Sequence, residues 1–232
     1  MNVGIDEDIA RRVLAVVDAG LVAGIGEPVP GEMCVAAAVC YALGLPHSDD
    51  PTCVAPAVRW LKIRLNDARW SSPQARARGL RRIAIAALGS AGALDEGEFS
   101  RRVARLAIQT CVPTALRAVA QRHAGEQRER LLQAADLCER EPTRKNALKA
   151  RAAADAADAY YAADAADAAA DADAYAYAAD AAADAAADAA YSDAAAAAAD
   201  AHLSDFAERV VQILCDMGAP GRAFLHLTES AT

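Results

Sequence analysis

The sequence predicts an all-α multi-helix bundle, and three observations carry that prediction. No segment of residues 1–151 sustains the alternation of apolar and polar residues that a half-buried strand needs. Helix-start chemistry recurs along the same block, with Asp, Ser or Pro placed just ahead of apolar residues at helical spacing. Between Thr143 and Met217 there is neither Gly nor Pro, and residues 152–201 consist of 33 Ala, 11 Asp, 5 Tyr and 1 Ser. Alanine is the strongest helix former, so the C-terminal third is predicted to hold a long alanine-rich helix or several.

In chain order, Asp6 caps a first helix that reaches about residue 23, with Ile9, Val13, Val16, Val17 and Leu21 turned inward. Gly24, Gly26, Pro28 and Pro30 mark a loop, and a second helix covers about residues 31–43 before Gly44 and Pro46. Asp50-Pro51 reads as a cap followed by proline in the first helical turn, starting a third helix that ends near Asp67. Ser72-Pro73 repeats the signal for a fourth, ending near Gly89. Asp95-Glu96-Gly97-Glu98 resembles a capping box, and the helix after it is expected to kink or break at Pro113. Gly125 and Pro142 bound a sixth.

Within the alanine-rich stretch the aspartates change face. At 100° per residue Asp155, Asp158, Asp173, Asp180, Asp184 and Asp188 share one side, while Asp164, Asp167, Asp171, Asp193 and Asp200 share the other. The flips fall near Tyr160, Ala172 and Tyr191, so shorter helices are expected, with turns at 171–173 and 191–193. Residues 206–214 form an ordinary amphipathic helix that returns to the core, and residues 224–227 read as a strand-like tail. The organisation expected is a helical core with basic helices over residues 1–150, followed over 151–232 by the Ala/Asp/Tyr-rich region and that returning helix.

Charge is segregated more than the net −8 suggests. Residues 1–151 carry +5, and within them residues 59–105 carry +7; residues 152–206 carry −12 with no Lys or Arg. Arg59, Lys62 and Arg69 lie near Trp60 and Trp70, Arg78, Arg81 and Arg82 share a helix face, and Arg101, Arg102 and Arg105 repeat the arrangement. Such a stripe neutralises phosphates, and the bland alternative is a solvated face with both tryptophans in the core. Asp173, Asp180, Asp184 and Asp188 form the matching acidic face. Successive like charges at i,i+4 oppose a helix unless a cation answers them, in cis from residues 59–105 or in trans from a partner.

Cys34 opens the second helix, where the helix dipole favours a thiolate. The run from Cys34 through Ala42-Leu43-Gly44-Leu45-Pro46 resembles the nucleophile helix of transglutaminase-like cysteine hydrolases, over about 15 residues. That resemblance implies Cys34 as nucleophile, but the family's strand-borne His and Asp have no counterpart here. A nucleophile needs its base, so catalysis is not the expectation. Cys40, His47 and Cys53, with Asp49 and Asp50, have zinc-ligand chemistry at a spacing that matches no common finger. No metal or cofactor is expected, and the six cysteines read as buried apolar thiols.

The acidic N-terminus lacks a secretory signal, and the longest uncharged run, about 14 residues, is too short to span a bilayer. A cytoplasmic protein away from membranes is expected. Residues 31–35 and 45–51, with Asn66-Asp67 and Trp70-Ser71-Ser72, resemble uncharacterised bacterial or phage-associated proteins with Ala/Asp/Tyr-rich helical regions. The resemblance covers most of the chain and implies no activity. The function expected is a non-catalytic interaction, scaffold or regulatory protein with a protein partner. A nucleic-acid-binding or DNA-mimicking regulator is the second reading, and a cysteine hydrolase the third.

Overall fold

A computed structural model describes residues 4–174 and 196–229. Among them it contains α1 (Glu7–Asp18), α2 (Val35–Ala42), α3 (Pro56–Asp67), α4 (Pro73–Ala86), α5 (Glu96–Ala120), α6 (Gly125–Arg140), α7 (Arg144–Asp155), α8 (Tyr160–Ala174) and α9 (Ala196–Asp216). A 3-10 segment, Pro220–Glu229, follows α9. The fold is an all-α multi-helix bundle, and the described residues hold no strand beyond one bridge between Gly26 and Met33.

Local chemistry starts several helices where the sequence places them. Asp6, Ser72 and Asp95 each accept a hydrogen bond from the backbone N–H three residues on, at 2.9, 3.1 and 2.9 Å. Each satisfies a donor that the first helical turn cannot. The Asp50-Pro51 reading is corrected. The third helix starts at Pro56, and the N–H groups of its first turn are answered from a distance: Ser90 Oγ accepts from Ala55 N (2.9 Å) and Glu96 Oε2 from Ala57 N (2.8 Å). Asp50 instead forms an ion pair with Arg59. The second helix begins at Val35 rather than near residue 31, with Cys34 as its cap.

α5 runs through Pro113 without a break. The expected turn at 171–173 is absent too, because α8 continues to Ala174; the one proposed at 191–193 lies outside the described residues. The flip near Tyr160 does mark a turn. Ala159 N donates to Ala154 O (3.0 Å) and Asp158 N to Asp155 O (3.1 Å), with Asp158 at φ +50°. The same pair of bonds closes α2 around Gly44 and α9 around Gly218. Asp tolerates the left-handed region better than most residues, so it ends α7 where glycine is missing. Arg151 on α7 then reaches Asp167 on α8, as an antiparallel hairpin requires.

Two helices organise the bundle. α4 is buried against α1, α2, α3, α9 and the 3-10 segment, and α5 against α3, α6, α7, α8 and α9. α9 bridges them, with Leu203, Phe206, Val210, Val211 and Leu214 buried, so the returning helix is present. A division at residue 150 falls inside α7. The tail expected as strand-like is helical. It docks so tightly on the C-terminal end of α4 that a Cβ on Gly221 would sit 2.1 Å from the Ile85 carbonyl oxygen. Gly79 plays the same part against Trp70, whose ring would be 2.2 Å from an added Cβ.

Candidate functional site

The residues that stand out chemically meet on α3. Val58, Leu61, Leu65 and Asn66 are buried with Lys62, whose side chain has no exposure. Asn66 sets the crossing of α3 and α2. Its Oδ1 accepts from Val35 N (3.0 Å), which caps α2, and its Nδ2 donates to Val22 O (2.8 Å). Lys62 lies one turn earlier on the same face, so it points under the α2 end of the molecule.

Among the described residues Lys62 Nζ has no hydrogen-bond partner, and the groups that act on it electrostatically are Cys53, Cys34 and Cys40. Burial lowers its pKa to about 8, with the three thiols pulling weakly in the other direction. A dry environment penalises the charged form, so the ammonium loses its usual margin over neutral pH. The cysteines show the complementary effect. Burial raises Cys34 and Cys53 and pushes Cys40 to about 11. Cys34 Sγ does accept from Ala37 N (3.3 Å), as the dipole argument anticipated, yet burial outweighs that bond and Lys62 together. Lys62, its pKa brought down close to neutral, is therefore buried within electrostatic reach of three protonated thiols.

Metal chemistry has less to work with. Cys40 and Cys53 are buried, whereas His47 is exposed, with its Nε2 2.9 Å from the Gly26 carbonyl oxygen. Among the described residues no three His, Cys, Asp or Glu side chains converge on one point. The described cysteines are free thiols, and Cys111 and Cys138 are raised by burial to about 12 and about 11.

The basic stripe is dispersed. Arg59 lies 4.5 Å above the Trp60 ring, and Trp60 is 49% exposed, which corrects the expectation that both tryptophans are core; Trp70 is buried. Arg81 binds Asp18 (2.7 and 3.0 Å) and the Thr228 carbonyl, and Arg82 binds Glu208 (2.8 Å) and Thr228 Oγ1 (3.0 Å). These two arginines fasten α1, α9 and the C-terminal segment to α4. Arg101 and Arg102 share Glu98 at 2.9 and 2.7 Å, and their hydrogen bonds, Arg102 first, lower its carboxyl pKa. Arg69, Arg78 and Arg105 are exposed, and Lys62 is inside. Of the acidic face, Asp173 falls in the last turn of α8, while Asp180, Asp184 and Asp188 lie outside the described residues.

Sequence reasoning missed Arg76. Only 9% exposed, it donates to Asn66 O (2.7 Å) and Leu21 O (3.0 Å), tying the end of α3 to the loop after α1. Polar residues at otherwise apolar helical positions, Asn66 and Lys62 among them, were the signal available. No helix of the described residues is long and apolar enough to cross a membrane. Comparison with protein-family models, curated proteins and solved structures returns no match, so the functional reading rests on these residues.

Proposed function

We propose that the protein is a non-catalytic, all-helical interaction protein that offers an acidic surface to a cationic protein partner. The observation that carries this reading is the way the N-terminal block uses its cations. Arg11 pairs with Glu7, Arg59 with Asp50, Arg81 with Asp18, Arg101 and Arg102 with Glu98, and Arg117 with Asp136 and Glu139. These carboxylates all belong to residues 1–151, whereas Arg82 of the stripe reaches beyond them, to Glu208 on α9. The pairs described for the alanine-rich side engage Arg151 with Asp155 and Asp167, and Arg209 with Asp205. Residues 152–206 themselves carry −12 with no Lys or Arg. Asp158 and Asp171 are exposed. A surface charge of one sign attracts a partner of the other and steers its approach.

The test is affinity capture with and without nuclease, comparing the natural chain with Asp180→Asn, Asp184→Asn, Asp188→Asn combined. The result expected is a nuclease-resistant protein that is lost from the triple variant and released by salt, since a screened contact weakens as the Debye length shrinks. A nuclease-sensitive catch retained by the variant overturns the reading in favour of nucleic acid at Arg69, Arg78 and Arg105.

A further inference from the structure

A polar cleft of about 230 Å³ opens between α5, α6 and α9. Its wall combines Gln109, Thr110, Pro113 and Thr114 with two arginines, Arg117 and Arg209, and two carboxylates, Glu139 and Asp205; His202 completes it. We propose that this cleft binds a small zwitterion of amino-acid size. The inference stands apart from the acidic surface discussed above.

Charge balance is the first argument. The lining holds two cations already paired with two carboxylates, Arg117 with Glu139 and Arg209 with Asp205, so a simple anion or cation would add a net charge to the cleft. A dipolar ligand inserts its carboxylate and ammonium without changing the sum. The volume is below the roughly 300–1,000 Å³ of pockets for drug-sized ligands, which limits the guest to a few heavy atoms.

Placement of the groups is the second argument. Arg209 engages Asp205 through Nε (2.8 Å), and among the described residues no second carboxylate reaches its Nη groups. That fork suits a ligand carboxylate. Arg117 is more occupied, bound by both Asp136 (2.9 Å) and Glu139, and it holds the Glu139 carboxylate at the cleft to receive an ammonium. The ion pairs are half-exposed, so they are exchangeable.

Pro113 supplies the third. It has no N–H to give to the Gln109 carbonyl, so that oxygen lacks the partner an uninterrupted helix would provide. The neighbouring hydroxyls are turned along the helix: Thr110 Oγ1 donates to Leu106 O and Thr114 Oγ1 to Thr110 O, both at 2.8 Å. The Gln109 carbonyl is thus a second acceptor for an ammonium on the wall that carries Pro113.

The experiment is amide chemical-shift titration of the isotopically labelled full chain at pH 7 with L-serine, serinamide and glycerate. Serinamide keeps the ammonium and loses the carboxylate; glycerate does the reverse. L-serine is expected to shift the amides of Thr110, Thr114 and Arg117 saturably, with both analogues at least about tenfold weaker. Glu139→Gln should weaken serine and strengthen glycerate, and Arg209→Gln should weaken serine and strengthen serinamide. Absence of saturable shifts up to about 10 mM serine overturns the proposal. So does equal binding of all three probes, which the natural chain decides even if a variant fails to fold.

Discussion

The α1–α4 and α9 side of the bundle and the α7–α8 hairpin bury their surfaces by different means. The first is filled by large side chains, among them Leu61, Leu80, Ile83, Ile85 and Phe206. The second buries Ala147, Ala150, Ala154, Ala162, Ala165, Ala166, Ala169 and Ala170 where α7 and α8 pack on each other, on α5 and on α6. Removing apolar area from water is worth roughly 25 cal/mol per Å², and an alanine has little area to give. The hairpin therefore gains through close helix approach and high helix propensity, while the other side gains through volume. One region is sensitive to losing atoms, the other to gaining them.

The largest test of that contrast is Phe206→Ala, which empties a site between α4 and α5. We expect a loss of about 3–5 kcal/mol in urea unfolding. A loss under about 1 kcal/mol would mean that α9 is not part of the cooperative core.

Lys62→Met sharpens the picture from the opposite direction, because the volume-filled side contains a fully buried amine that its burial penalises. The folded pKa of Lys62 is lowered from 10.5 to about 8. Between those values the unfolded chain binds the extra proton, so this residue makes stability rise with pH across that window; below about pH 8 the full penalty is present. Lys62→Met should stabilise the protein by roughly 3 kcal/mol at pH 7, with the advantage disappearing as pH approaches 10.5. The buried cysteines act oppositely, since their raised pKa values make the folded state retain protons. The comparison must therefore be the difference between the two chains at each pH. A pH-independent difference would show that Lys62 is not titrating in a dry site.

Ala166→Leu examines the hairpin. Its side chain has no exposure, so added methylenes force α8 away from its neighbours at about 1–3 kcal/mol. A neutral or stabilising result in thermal unfolding would show a loose interface and break the comparison. Smallest is Arg151→Gln, which removes the α7–α8 ion pair. With both partners about two-fifths exposed or more, the cost should stay below about 1 kcal/mol and vanish in 1 M salt.

How much of this was legible depends on the range of the interactions involved. Asp6, Ser72 and Asp95 could be read as caps because the acceptor and the N–H it satisfies are three residues apart. Asp50 carried the same local signal and was misread, since the donors of α3 are answered by Ser90 and Glu96, more than thirty residues away. The 3-10 tail looked like a strand because Phe224, Leu225 and Leu227 are apolar, but its geometry follows from the close seat of Gly221 on α4. The cysteine and lysine candidates were visible individually; that they are buried within electrostatic reach of one another was not, because α2, α3 and the turn near Cys53 meet only in three dimensions.

Sequence alone determined the helical class, several helix starts, the charge segregation and the turn implied by the aspartate phase near Tyr160, all of which rest on propensity and spacing over a few residues. Tertiary structure decided the rest. It made Lys62 a buried amine, turned most of the basic stripe into ion pairs and fasteners, carried α5 through Pro113, and brought the groups of α5, α6 and α9 into one polar cleft. The physical reason is that desolvation and charge pairing depend on what surrounds a side chain, and those surroundings come from distant parts of the chain.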